Sequence, residues 1–470
     1  MWVFIIGGRT ILETAIPKTQ NSVLSHAHFK ILNTFSNSSM ERSLEHDREK
    51  FCQTTEGLGS YCRSDNPDPV RFAVKQLPNT DILDKVPVFV TGGYKIQYLI
   101  RTLRDLHASP GLRQQNLEVL LGDTDDSVIT MLKLLNVKYR KIPLYGEGNV
   151  KLFQYYRSCF QYALDNYPNS SAVIFLDEDI EVSPDFFSLM SQMIPLLYRD
   201  SSLYCVTAHA AGASPNFYGY SDRLKRGITT VLWGYALTIQ FMREALSKWP
   251  KERTANLYDL WLNEIVADGR ECVFPEVTRT KHVGAGTNTR GFEIERFFQP
   301  IRIVNEYGIQ ISNLDQMPID DWIAFMTREL KKAIPLVGNI CEPRFFENLA
   351  NGTYVFYYSL DVDEDNTVSI ENFFTIGECL QFWAQSEVGH HQYTKILRKR
   401  PGCVIYLMGY PEEAYGHLKK PGYEPWDIIN KNYTERKKMI QQRDRYTLSI
   451  IANLKTKLND IIYENGLFNV

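Results

Sequence analysis

At 470 residues, with 44% hydrophobic and 13% aromatic side chains, the chain is long enough for two or three domains with sizeable cores. Its 52 basic residues are balanced by 55 acidic ones, a formal net charge of -3, so it carries no electrostatic footprint for nucleic acid and none for an anionic membrane surface. No apolar run reaches the roughly 18–20 residues of a membrane span. The start, Trp2-Val3-Phe4-Ile5-Ile6, is short even for the apolar core of a secretory signal, roughly 7–15 residues, and reads as the end of a strand from a missing upstream domain.

Residues 1–80 are polar and irregular, with Ser36-Asn37-Ser38-Ser39 and Asp65-Asn66-Pro67-Asp68-Pro69, and read as a stem or linker. Within them Cys52 and Cys62 flank Glu56-Gly57-Leu58-Gly59, a spacing suited to a small disulfide loop. The first strand is expected at 86–91, followed by Gly92-Gly93 and a helix with Leu99, Leu103 and Leu106 at helical spacing. A second strand at 117–121 ends in Gly122-Asp123-Thr124-Asp125-Asp126. A helix near 127–135, a short strand around 139–143 and a long helix near 151–166 come next. This alternation predicts an α/β fold with a doubly wound, mainly parallel sheet.

The next strand carries the chemistry. Val173-Ile174-Phe175-Leu176 runs straight into Asp177-Glu178-Asp179. In open α/β sheets ligands bind beyond the carboxyl ends of strands, and carboxylates crowded there repel unless a hard divalent cation is shared. The bland alternative is that the acids precede a helix cap at Ser183-Pro184-Asp185. Further along, residues 301–415 look like a smaller α+β region, with strands at 353–360 and 403–408 and a helix near 376–385. Residues 432–463 have apolar side chains at helical spacing and predict a terminal amphipathic helix. Eight cysteines without a C-x-x-C pair argue against zinc, and together with sequons at Asn37, Asn169, Asn351 and Asn432 they favour a luminal protein.

Several segments, in order from about residue 45 to 420, resemble glycosyltransferase family 13, above all its members that act on O-linked mannose. They are Phe51-Cys52 through Tyr61-Cys62, Val86-Pro87-Val88, Leu176-Asp177-Glu178-Asp179, Asp185-Phe186-Phe187, Ser202-Leu203-Tyr204-Cys205 and Lys248-Trp249-Pro250. Gly269-Arg270-Glu271-Cys272, Pro275-Glu276-Val277-Thr278-Arg279, Cys341-Glu342 and Glu378-Cys379-Leu380 continue the match. The resemblance implies a GT-A fold, a Golgi-luminal enzyme and an inverting transfer of GlcNAc from UDP-GlcNAc to the 2-hydroxyl of O-linked mannose on glycoproteins. It implies Mn²⁺ (or Mg²⁺) on Asp179, with Asp177 and Glu178 facing ribose and GlcNAc. Asp259, within Tyr258-Asp259-Leu260-Trp261, falls on the family's general base, with Tyr258 beside the substrates. Asp123, with Gly122 as the neighbouring register, falls on the uracil-binding acid. Lys95 stands where the family has an Arg near the nucleotide. Cys205–Cys272 matches the family's disulfide, and Cys341–Cys379 is a further pair, while Cys159 and Cys403 match nothing.

The implied organisation is stem at 1–80, nucleotide-sugar-binding catalytic domain at 81–300, acceptor-side region at 301–420 and a tail at 421–470. The membrane anchor of a type II protein and the family's carbohydrate-binding domain would be absent from this chain. Several positions depart from the family. Thr207-Ala208-His209-Ala210-Ala211 replaces Ser-Ala-Trp-Asn-Asp, Leu232-Trp233-Gly234-Tyr235 replaces Gly-Leu-Gly-Trp, Tyr258 replaces Trp and Tyr155 replaces His. These keep two other expectations open: the same transfer to an N-glycan mannose, and a silent lectin-like paralogue.

Overall fold

A computed structural model describes residues 40–75, 81–250, 257–285, 289, 291–362, 368–384 and 388–428. The expected terminal helix at 432–463, Asn37 and Asn432 lie outside them. Contacts divide the chain into two units, Met1–Val70 and Arg71–Val470. In the first, helix α1 (residues 40–54) is tied by the Cys52–Cys62 disulfide to a short 3₁₀ turn, Gly59–Cys62. Buried Arg48 donates from Nη1 to the carbonyl of Tyr61 at 2.7 Å, which satisfies the turn from inside.

The second unit is built on an eight-stranded sheet. Its strands are β1 (Val88–Gly92), β2 (Leu117–Leu121), β3 (Lys138–Lys141), β4 (Ala172–Asp177), β6 (Leu203–Thr207), β7 (Leu224–Gly227), β8 (Tyr235–Thr238) and β9 (Glu271–Pro275), in the order β3-β2-β1-β4-β8-β6-β9-β7. Pairings β3/β2, β2/β1, β1/β4 and β6/β9 are parallel, whereas β8 and β7 run against their neighbours. A separate two-stranded ribbon pairs β5 (Ile180–Val182) with β10 (Thr280–His282). The doubly wound, GT-A type sheet expected from the sequence is therefore present. The chain leaves β1 outward to β2 and β3, then returns to β4 on β1's other side. That reversal creates a crevice at the carboxyl ends of β1 and β4, where Thr91 pairs in register with Asp177.

Central strands buried on both faces explain the near-continuous apolar runs. Alternate residues Phe89, Val173 and Phe175 enter a core with Phe153 and Phe160 of α4 (Gly148–Asn166) and Met242 of α7 (Ile239–Lys248). Helix α2 (Ile96–Ala108) buries Leu99, Leu103 and Leu106, as their spacing predicts, and α3 (Asp126–Leu134) buries Met131 and Leu132. After β5 come α5 (Phe186–Met193) and α6 (Leu196–Arg199). A four-residue helix, α8 (Tyr258–Trp261), continues into a π-helical turn, Leu262–Val266, and α9 (Gly291–Glu293) has three residues. The Cys205–Cys272 disulfide joins β6 to β9.

Beyond α10 (Ile319–Lys332) lies a second sheet, β11 (Ile334–Pro335), β12 (Gly352–Ser359), β15 (Thr394–Arg400) and β16 (Cys403–Tyr410), in the order β11-β12-β16-β15. A small hairpin pairs β13 (Asp361–Val362) with β14 (Val368–Ser369). The Cys341–Cys379 disulfide closes on α11 (Glu371–Leu380), and Cys159 and Cys403 are free and buried. This helix begins five residues before the expected 376 and stops at Leu380, because Gln381 adopts a left-handed φ of 57°. Residues 382–384 thus lie outside the helix, without regular secondary structure. Asn169 and Asn351 are exposed, as sequons require.

Candidate functional site

A cleft of about 770 Å³ opens at the β1/β4 crevice. It brings together every substrate-site residue expected from the sequence: Lys95, Asp123, the triplet Asp177-Glu178-Asp179, and Tyr258-Asp259. Eighty residues of chain between β4 and α8 are folded back to achieve this, with α8 held by Trp261 packing on Phe153 and Trp249.

The three acids at the end of β4 have different surroundings. Asp177 Oδ1 accepts hydrogen bonds from Thr91 Oγ1 at 2.9 Å and from the Tyr156 hydroxyl, and burial followed by the charge of Asp179 pushes its pKa up. Glu178 is 7% exposed and is turned onto the loop after β1. Its carboxylate accepts from the backbone N–H groups of Gly93 (2.7 Å), Tyr94 (3.1 Å) and Lys95 (3.1 Å). Only glycine fits below it: a Cβ on Gly92 would come within 2.6 Å of the Glu178 side chain, and φ there is +147°. Burial raises its pKa, although these amides act to lower it.

Asp179 is held on both oxygens. Lys95 Nζ lies 2.7 Å from Oδ2, and His282 Nε2 lies 3.2 Å from Oδ1. Burial acts to raise its pKa, but His282 and Lys95 outweigh that and hold it below the usual carboxylate range. Gly284 closes a third side, since a Cβ there would sit 2.3 Å from Oδ2. Lys95 Nζ also donates to the carbonyl of Ala285 at 2.7 Å.

Across the cleft Asp259 behaves oppositely. Burial pushes its pKa up to about 6, with the backbone N–H groups at Leu260 and Asp259 itself only partly offsetting it. A carboxyl poised there is a base at neutral pH and becomes an acid once it has taken a proton. Tyr258 stacks face to face on Tyr156, with ring centroids 3.5 Å apart and planes at 14°, and so links the base to the hydroxyl that holds Asp177. At the outer lip Asp123 forms an exposed ion pair with Lys151 at 2.8 Å.

Sequence reasoning missed Thr91, Tyr156, His282, Lys151 and Trp383, and named Trp233 only within a departure from the family; all of them line the cleft. Each is a lone polar or aromatic residue whose partner is distant in sequence, so no local spacing marks it. Trp233 has a weak signal in its neighbour Gly234. Its own φ is +29°, a strained value for an aromatic residue, and its ring stacks on His282 at 4.8 Å. Trp383 lies in the connection after α11, so the second region supplies a wall of the cleft. Tyr155 spends its hydroxyl on backbone, accepting from Gly92 N at 3.1 Å and donating to Leu120 O.

The segment 207–211 does not reach the cleft. His209 bonds through Nδ1 to Thr280 O at 3.1 Å, and burial brings its pKa down to about 4, so it is a structural histidine. Ala210 and Ala211 are 2% and 4% exposed, and neither is available to a sugar. Two other segments from the resemblance are structural as well. Arg279 and Asp185 form a fully buried ion pair at 2.8 Å, and Arg270 holds Glu244 at 2.8 Å.

Among the described residues no group of three or more His, Cys, Asp or Glu could hold a metal alone, and no helix is long and apolar enough to cross a membrane. The sequence pattern of the GNT-I family matches residues 15–339. Over 271 residues the chain is 23% identical to an alpha-1,3-mannosyl-glycoprotein 2-beta-N-acetylglucosaminyltransferase of Arabidopsis thaliana, covering 54% of this chain and 59% of that protein. The chain therefore spans less than two thirds of that relative's length. Among solved structures it is similar to a CMP:2-keto-3-deoxy-manno-octonic acid synthetase complexed with CTP, at 13% identity over 48% of this chain and 92% of that one, TM-score 0.27. A glycosyltransferase involved in the glycosylation of the major capsid of PBCV-1 is also similar, at 13% identity over 45% of this chain and 98% of that one, TM-score 0.25. Scores this low leave the fold resting on its own strand order and register. Since the matched stretch takes in Lys95, the acid triplet, Asp259 and the Cys205–Cys272 pair, the chain belongs to the GNT-I family.

Proposed function

We propose that the protein transfers GlcNAc from UDP-GlcNAc to the 2-hydroxyl of O-linked mannose on glycoproteins, with inversion. The observation that carries this reading is Asp259, a carboxyl raised to about 6 that shares one cleft with the acids at the end of β4. The mannose oxygen attacks C1 of GlcNAc and its proton passes to Asp259. The bond from C1 to the β-phosphate oxygen breaks, and its electron pair leaves with UDP. Asp123 takes the uracil at the lip. Asp177 stands at the ribose, and Glu178 acts at the GlcNAc side through the loop it holds. Tyr258 supports the acceptor next to the base, and Trp383, which lines the cleft, supports reading residues 301–420 as the acceptor side.

Asp179 suits a hard divalent cation, because it is a carboxylate kept ionised by its neighbours beside a buried histidine whose Nδ1 has no hydrogen-bond partner among the described residues. Among the described residues no group of three or more His, Cys, Asp or Glu could hold an ion alone, so Asp179 would hold it with its remaining positions left to groups outside the protein. Mn²⁺ or Mg²⁺ bound there would offset charge on the departing UDP. Three disulfides and two exposed sequons support a Golgi-luminal enzyme, type II in its full-length form, without nucleic-acid partners.

The choice of O-linked mannose rests on the resemblance around Cys52–Cys62 and the C-terminal region. The Arabidopsis relative's name favours a second reading, the same transfer to an N-glycan mannose. Purified protein assayed with UDP-GlcNAc against an O-mannosyl peptide and an α1,3-mannosyl N-glycan decides between them. Preference for the peptide is expected. Preference for the N-glycan replaces the acceptor, and absence of UDP release with either leaves a silent paralogue.

A further inference from the structure

The loop after β1 is fixed by three backbone hydrogen bonds to Glu178, and this sets where the Lys95 side chain can reach. Its ammonium touches Asp179 Oδ2 and the carbonyl of Ala285, both at 2.7 Å. The Lys95 side chain is 24% exposed and that of Asp179 7%, so the lysine is the more solvent-accessible member of the pair. His282 occupies the other oxygen, and Gly284 backbone closes over Oδ2 from a third direction. In this arrangement the carboxylate assigned above to a divalent cation already has a cation on it. Two positive charges cannot share one carboxylate oxygen at contact distance without strong repulsion.

We propose that Lys95 is a displaceable counter-ion that guards Asp179 and makes metal binding depend on the nucleotide. The inference rests on the reading of Asp179 as the metal ligand. The diphosphate of a nucleoside diphosphate sugar brings a stronger anion to the same ammonium, and a flexible lysine can turn from the carboxylate to phosphate oxygen without moving its backbone. Asp179 is then uncovered only when donor is present. The free protein is spared an uncompensated buried charge, and a divalent cation gains a firm hold only together with its nucleotide. The coupling is reciprocal: whatever factor UDP adds to metal affinity, the metal adds to UDP affinity.

The test measures Mn²⁺ binding from the electron paramagnetic resonance signal of the free ion, with and without UDP, in the wild type and in Lys95→Met, Lys95→Arg and Asp179→Asn. Wild type is expected to bind Mn²⁺ weakly alone and more tightly with UDP. Lys95→Met should bind Mn²⁺ alone about tenfold more tightly, the scale of one charge-assisted hydrogen bond, and UDP should then add less. Lys95→Arg, which keeps the charge, should resemble wild type, and metal-free UDP affinity by calorimetry should fall in Lys95→Met. Circular dichroism of each variant establishes that it is folded. Unchanged or weaker Mn²⁺ binding by folded Lys95→Met in the absence of UDP overturns the guard while leaving the metal reading intact. If wild type holds no Mn²⁺ even with UDP, or Asp179→Asn binds it as well as wild type, both fall together.

Discussion

The two ends of the cleft handle a carboxylate in opposite ways. At the β1/β4 end, Asp179 sits among donors, with an ammonium on one oxygen and an imidazole on the other, and stays ionised despite burial. At the α8 end, Asp259 has backbone N–H groups but no cation among the described residues, and burial prevails. Environments that push paired acids apart assign them different work. A permanently charged group is suited to hold cations, and one that titrates near neutrality is suited to move a proton. Supporting structure follows the same division. The Asp179 end is built from a loop whose amides are all engaged, whereas the Asp259 end is a single helical turn that ends in a π-turn, a feature common at functional sites.

Asp259→Asn should break the contrast most strongly. Loss of a general base lowers kcat by about 10²–10⁴-fold, while UDP affinity at the other end stays as in wild type. Equal loss of UDP binding and turnover would show that the two ends do not act separately. The same substitution sharpens the comparison through stability. The folded-state pKa of Asp259 is raised from 3.8 to about 6, so its contribution is present in acid and is lost as pH rises through about 6. Its neutral amide should therefore stabilise the fold by about 2 kcal/mol at pH 7.5, allowing for solvent in the cleft, and the gain should vanish near pH 4. Urea titration at the two pH values checks both halves.

Next in size is the cross-link behind α8. Cys205 and Cys272 are 67 residues apart, and opening that loop with Ser at both positions should cost about 4 kcal/mol by chain-entropy models. Denaturation midpoints would show it, and Cys52→Ser with Cys62→Ser, which opens a loop of 10, should cost less. The smallest effect lies in the pH profile. Below about 6 the wild-type kcat should fall about tenfold per pH unit as Asp259 takes its proton, with metal-dependent UDP binding falling at lower pH because Asp179 is held low. Coincident loss of both activities would contradict the division.

Much of this was legible in the sequence because it is local. Apolar runs gave β1, β2 and β4, the spacing of Leu99, Leu103 and Leu106 gave α2, and the triplet after Leu176 marked the end of a strand. Asp259 was not legible that way. An aspartate in a short helix has no period to distinguish it, and only family resemblance singled it out. The helix expected at 376–385 was misplaced because Gln381 ends it in a conformation that glutamine seldom adopts. Ala210 and Ala211, which stand where the family has Asn-Asp, are interior packing. His282 and Lys95 meet Asp179 from segments far apart in the chain, and nothing short of the folded sheet shows that convergence.

The two sheets of the larger unit have separate hydrophobic cores and are bolted together by buried charge. Arg398 of β15 forms a bidentate pair with Glu276, and His391 reaches Glu271, which also binds Arg226. Pulling one half of such a bolt away leaves a naked charge in the interior, a loss of about 3–5 kcal/mol per pair. A fragment cut at residue 339, where the family's pattern stops, would take Arg398 from Glu276 and His391 from Glu271. The end of the family's pattern is thus not a boundary between separately held parts, and the later sheet shares buried charge with the one that carries the acids.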